Sequence, residues 1–380
     1  MPIVSASSAL SSQAAPAVRR HDPLSNVRDW MAEQKLDAVY VTRPVSIAYL
    51  TGFSAEPHER LMALAVLPGS ATLVVPALEG ERAAANAEQA PVLAWRDGED
   101  PYALVREALG ARARLGVEKE HLTVQAAEAL AAVVGARQLV DVAPEIRRLR
   151  RTKSPAELDK LGRACAITDS VAAEVMRGLH PGQSELDLAV MMGAAIGARG
   201  ASLSFQTSVQ SGANSAVPHH NPSGRKLESG DLVLFDFGAA FEGYCADLTR
   251  MAVVGEPTAR QREIYALVLR AHDAAIDAVR PGVTTGQVDA AARQVIEAAG
   301  FGPHFFHRVG HGLGLEVHED PSLDPGSSTV LEPGMVFTIE PGVYLPGWGG
   351  VRIEDDVVVE AGGCRVLSSA SRELRVVQAS

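Results

Sequence analysis

Apolar positions along this chain keep two rhythms. Between residues 24 and 142, short runs such as "DAVYV" (37–41), "MALAVL" (62–67) and "ATLVVPAL" (71–78) read as strands. "SNVRDWMAEQK" (25–35) and "TVQAAEALAAVVG" (123–135) instead space their apolar residues at the helical period. Alternating strands and helices predict an α/β unit. A basic run, "RRLRRTK" (147–153), then leads into "SPAE", a capping box with Ser154 as N-cap, Pro155 at the first helical position and Glu157 at the third. A domain boundary near 150 is expected, giving units of 23–150 and 151–380 behind an Ala/Ser-rich tail (1–22) expected to be disordered.

The second unit repeats its own pattern. "HPGQS" (180–184) recurs as "RPGVT" (280–284), Gly200 as Gly300, and "VQSG" (209–212) as "VGHG" (309–312), all at an offset of 100. "LESGDLVLFDFG" (227–238) matches "LEPGMVFTIEPG" (331–342) at an offset of 104. In each half a Pro-Gly turn and a hydroxyl N-cap open a helix, a glycine closes it, and strands follow. The repeat predicts an α+β domain with pseudo-two-fold symmetry.

The repeat has a chemical consequence, because Asp236 maps onto Glu340. Each half then adds a second carboxylate downstream, Asp247 or Glu354, so four acids are expected to converge between the halves. The runs Leu232–Phe235 and Leu248–Val254 read as a hairpin turning about Phe241 and Glu242, which sets Asp236 directly opposite Asp247. Like charges in that relation destabilise a sheet. Four packed carboxylates without counter-charge would cost several kcal/mol and need strongly raised pKa values. Two divalent cations remove the conflict. Oxygen ligands suit Mn²⁺ or Mg²⁺, and one imidazole brings in transition metals. The imidazole expected is His311 in "HRVGHGLGLEVHE", where Gly310, Gly312 and Gly314 permit close backbone approach.

Composition narrows the setting. The chain has 380 residues, 47% hydrophobic and 21% charged, with a net charge of −11. That balance argues against nucleic acid or an anionic membrane as partner. Three scattered cysteines, Cys165, Cys245 and Cys364, point to a reducing compartment rather than a zinc ribbon. With no membrane-length apolar run and no signal-peptide core, a cytoplasmic location is expected.

"PHHNPSGRKLESGDLVLFDFGAAFEGYCADLTR", "HRVGHGLGLEVHE", "TIEPGVY" and "VRIEDD" together resemble the pita-bread metallopeptidases, most closely Xaa-Pro dipeptidases (prolidases) and aminopeptidase P. The resemblance spans roughly 150–375, and "SIAYLTGF" (46–53) is similar to the family's smaller RNase H-like α/β domain. It implies Asp236, Asp247, His311, Glu340 and Glu354 as ligands of two divalent ions, Mn²⁺ with Co²⁺ or Zn²⁺ as alternatives. It also implies Glu340 as general base, His219 and His318 as substrate-positioning and oxyanion-supporting groups, and His307 as a proton relay. Arg352, two residues before Glu354, is expected to orient that ligand. For His307 a structural role is the competing reading, and for His220 it is the preferred one.

The implied reaction is metal-dependent hydrolysis of Xaa-Pro dipeptides. Its rival is an aminopeptidase P-like release of the first residue from longer peptides. A metal-free creatinase-like hydrolase and a non-catalytic binding module would each lack the five ligands. One position departs from the prolidase pattern: Ser322 stands where many members carry a carboxylate-binding arginine four residues after the histidine equivalent to His318. "SAEPHERL" (54–61) offers His58 and Arg60 as replacements, reaching across a homodimer to the partner's pocket.

Overall fold

The computed structural model describes residues 22–218 and 220–378; the proposed tail, apart from Asp22, and His219 lie outside them. Asp22 caps the first helix, Pro23–Glu33, by accepting from the Ser25 N–H. The N-terminal unit is built on a six-stranded mixed sheet. Its central strand, Ala38–Val41, pairs antiparallel with Ala63–Val66 and parallel with Arg114–Val117. Leu24, Val27 and Met31 pack from the first helix onto one face, with Ile47, Leu50 and Phe53 beside them. The helix Val124–Val134 sends Leu130 and Val134 to the other face. The Ala143–Arg151 helix follows, and the basic run forms its last turn rather than a free linker. The capping box at Ser154 then starts the 24-residue helix Pro155–Gly178.

The repeat is structural. Ser184 and Thr284 cap the equivalent helices Glu185–Gly197 and Thr285–Ala298. In the first half the central strand Leu232–Phe237 lies between Ser208–Ser211 and Leu248–Val254. In the second, Val336–Ile339 lies between His311–Gly312 and Asp355–Glu360. Strands that match in sequence therefore occupy matching places in their sheets. The two sheets meet where the Glu354 N–H donates to the Thr249 carbonyl at 3.3 Å.

The hairpin register differs from the expected one. Asp236 pairs with Thr249, not Asp247, because the turn is Glu242–Gly243 and Phe241 pairs with Tyr244. Both turn residues have positive φ, 47° and 84°, as a tight two-residue hairpin loop requires. A shift of two positions preserves the faces of the strand. The two aspartates thus remain on one face as diagonal neighbours. Among the described residues, no helix is long and apolar enough to cross a membrane.

Candidate active site

The strand ends of both halves open onto one cavity of about 580 Å³. Asp236, Asp247, His311, Glu340 and Glu354 all line it, together with His307, His318 and Arg352. Asp247, His311 and Glu354 each offer a ligand atom within 4.8 Å of the others, and all three are buried. His311 Nε2 lies 3.2 Å from Glu340 Oε1 and 3.7 Å from Asp247 Oδ2.

Local structure aims these groups. His311 Nδ1 donates to the Gly312 carbonyl at 3.1 Å, which turns Nε2 toward the acids. The Asp247 N–H donates to Asp356 at 3.0 Å, fixing the backbone from which the Asp247 carboxylate projects. A Cβ on Gly310 would sit 1.9 Å from the Thr338 carbonyl oxygen, so only glycine lets the His311 segment lie this close to the central strand. Thr338 Oγ1 in turn donates to Glu340 at 3.2 Å.

Electrostatics marks the same place. Burial, followed by the neighbouring Glu354 and Asp236, drives the Asp247 pKa well above the usual carboxylate range. Burial, Glu340 and Asp236 do the same to Glu354. Glu340 goes the other way, to about 2: burial would raise it, but the His311 hydrogen bond and nearby positive charge prevail. The buried Asp247 Oδ1 accepts no hydrogen bond among the described residues. An unsatisfied buried carboxyl oxygen beside three more acids and one imidazole is a donor set suited to divalent cations.

Arg352 touches two of the acids, one directly and one through a hydroxyl. Its guanidinium contacts Asp236 directly at 2.5 Å and reaches Glu354 only through Thr249. Thr249 Oγ1 accepts from Arg352 Nε at 2.9 Å and donates to Glu354 at 2.6 Å. Arg352 Nη1 also donates to the Tyr344 hydroxyl, which lies 3.0 Å from His307 Nε2. His307 Nδ1 donates to the Arg308 carbonyl at 2.7 Å, so Nε2 accepts from Tyr344. Burial lowers the His307 pKa and favours its neutral form.

His318 stands at the open side of the cavity, its ring 4.3 Å from that of His311 and edge-on to it. His220 lies 3.5 Å from the buried Glu185, outside the residues that line the cavity. His58 and Arg60 are not brought to the cavity of their own chain. They line a separate one in the N-terminal unit, where Asp97 holds Arg60 through two 2.9 Å hydrogen bonds. Sequence reasoning missed Thr249, Tyr344 and, above all, Arg308. Arg308 lines the main cavity and donates to Ser322 Oγ at 2.7 Å. The position that lacks an arginine is thus in contact with one from the loop leading into the His311–Gly312 strand, and "HRVGH" carried that signal unread.

The family model described as metallopeptidase family M24 matches residues 159–361, and that of the creatinase/prolidase N-terminal domain matches 23–152. The chain is 39% identical over 368 residues to a Xaa-Pro dipeptidase of Lactobacillus delbrueckii subsp. lactis, covering 93% of this chain and 98% of the relative. Its structure superposes on a Xaa-Pro dipeptidase from Bacillus anthracis with a TM-score of 0.88 at 33% identity, over 93% and 99% of the two chains. An X-Pro aminopeptidase from Thermotoga maritima is also similar, with a TM-score of 0.84 at 30% identity over 90% and 98%. The repeated α+β unit is therefore a pita-bread domain and the smaller α/β unit its creatinase-type companion. The chain belongs to metallopeptidase family M24.

Proposed function

We propose that this metallopeptidase hydrolyses Xaa-Pro dipeptides at the cavity between the two halves of its pita-bread domain. The observation that carries the reading is the meeting of five metal-type ligands with a half-buried arginine, Arg308, along one cavity wall. Asp236, Asp247, His311, Glu340 and Glu354 would hold two divalent ions, Mn²⁺ by the hardness of four carboxylates. When bound, such ions lower the pKa of a water and polarise the scissile carbonyl.

The chain's own residues do the rest. Glu340, held ionised, takes the proton from the attacking water and delivers it to the leaving proline nitrogen. His318, with His219, donates to the oxyanion formed at the carbonyl carbon. Neutral His307, fixed by Tyr344 and Arg308, keeps the Arg352 side of the site in one protonation state. Arg308 binds the free carboxylate of the substrate proline, and Phe205, Pro218, Phe306 and Val317 supply the apolar wall.

In the same reading the working form is a homodimer. Arg60, tied to Asp97 away from its own cavity, could then serve only the partner's. The similarity to an X-Pro aminopeptidase supports the second reading, removal of the first residue from longer peptides. Comparing kcat/KM for Ala-Pro and Ala-Pro-Ala separates the two. A dipeptidase cuts Ala-Pro faster, while faster cleavage of Ala-Pro-Ala gives the aminopeptidase reading the better claim.

A further inference from the structure

His318 sits on a short turn that a second set of charges holds in place. The turn, residues 316–319, closes where the Glu316 N–H donates to Glu319 Oε1 at 3.0 Å and the Gly314 N–H donates to the Glu316 carbonyl at 3.0 Å. Its two acids flank Val317 and His318, both of which line the catalytic cavity. Glu319 is tied from below by Arg150 and by Lys153 at 3.2 Å, in side chains that are 4% and 1% exposed for Glu319 and Lys153. Glu316 is shared instead. Arg150 holds one of its oxygens at 2.8 Å, and Arg43 holds the other at 2.7 Å.

Arg43 comes from the other domain. It stands at the N-cap of the helix Pro44–Thr51, just past the central strand of the N-terminal sheet. Its backbone N–H donates to Glu118 at 3.3 Å and its second guanidinium nitrogen to Glu120 at 3.0 Å, so its reach is set by that domain. Glu319 is already held by buried Arg150, in the last turn of the Ala143–Arg151 helix, and by Lys153 just after it. The Arg43–Glu316 bond is half-exposed. It is the contact through which the start of the Pro44–Thr51 helix reaches the turn beside the cavity.

We propose that Arg43 is a positioning residue for the prolyl hydrolysis, acting through Glu316 to hold the turn that presents Val317 and His318. This rests on the reading of His318 given above, and it assigns the N-terminal domain a part in catalysis. A misplacement of about 1 Å in such a group can lower turnover by ~10²-fold.

The test uses the full-length, Mn²⁺-loaded protein and the variants Arg43→Gln, Glu316→Gln, their double variant and Arg43→Lys. Each single Gln variant should lower kcat on Ala-Pro by about 10-fold or more, with metal content retained and KM changed less. The double variant should be no more than about twofold worse than Glu316→Gln alone, because that variant already loses the Arg43 bond along with the Arg150 one. Arg43→Lys keeps the charge and should retain most of kcat. Hydrogen exchange of the 315–319 amides should speed up in Arg43→Gln and not in Arg43→Lys. Unchanged exchange overturns the proposal, as do single losses that multiply in the double variant. The exchange arm decides the matter even if the wild-type protein cuts no prolyl bond, a result that would instead remove the proposed substrate.

Discussion

Arg352 and Asp236 share a 2.5 Å hydrogen bond at the centre of the site, although 116 residues separate them. The same guanidinium reaches Thr249 and, through its hydroxyl, Glu354, so one cation braces an acid from each half. Lysine cannot reproduce this, since it offers a point charge where three directions are used. Arg352→Lys should lower metal affinity or activity by roughly 10–100-fold, the usual cost of losing a partner that orients ligands. Metal analysis and kcat measured on one preparation check it. Wild-type values for both would mean that Arg352 only fills space.

Arg308 and Arg60 are competing candidates for the substrate carboxylate, and two variants separate them. A charge-assisted contact contributes roughly 1.5–3 kcal/mol. Arg308→Gln should therefore raise KM for Ala-Pro by about 10–100-fold with metal content unchanged. Arg60→Ala should leave KM within about twofold if Asp97 is its partner in solution, as it is in the structure. A large rise for Arg60→Ala, with no effect at Arg308, would favour the 54–61 loop acting across a dimer.

The acid limb of stability should depend on Glu319. Burial alone would raise its pKa, but Lys153 and Arg150 outweigh burial and hold it below the usual carboxylate value. A depressed folded pKa contributes stability above the unfolded value of about 4.3, which is lost as pH falls through the folded value. Glu319→Gln should lower Tm at neutral pH and flatten its decline below about pH 4. The neutral-pH loss could reach ~3–5 kcal/mol, because buried Lys153 loses its carboxylate and buried Arg150 keeps only Glu316. An unchanged acid limb would show that Glu319 gains nothing from its cations.

Much of this site was legible because the chain carries its pattern twice. The offset between "LFDFG" and "TIEPG" located Asp236 and Glu340, and each acid entering the next strand, Asp247 or Glu354, followed from the same logic. The register error has a local cause. A glutamate at φ 47° is an unusual first residue for a two-residue turn, so "FEG" did not announce where the chain reverses. Thr249, Tyr344 and Arg308 were not legible because their roles arise from what faces them. Tyr344 meets Arg352 across the Gly342–Leu345 and Gly349–Arg352 hairpin, and Arg308 meets Ser322 across fourteen positions. The Arg43–Glu316 contact spans 273 positions and two domains, and no local periodicity encodes it.

Loading this ligand set with metal should switch on hydrolysis of the bond before proline. The most direct measurement strips the purified protein of metal and titrates Mn²⁺ back while following Ala-Pro turnover, with Asp247→Asn treated in parallel. The stripped protein should show no turnover, activity should rise and saturate at about two ions per chain as in other paired-metal hydrolases, and the variant should recover little. Full turnover in the stripped protein, or full recovery in Asp247→Asn, would contradict it.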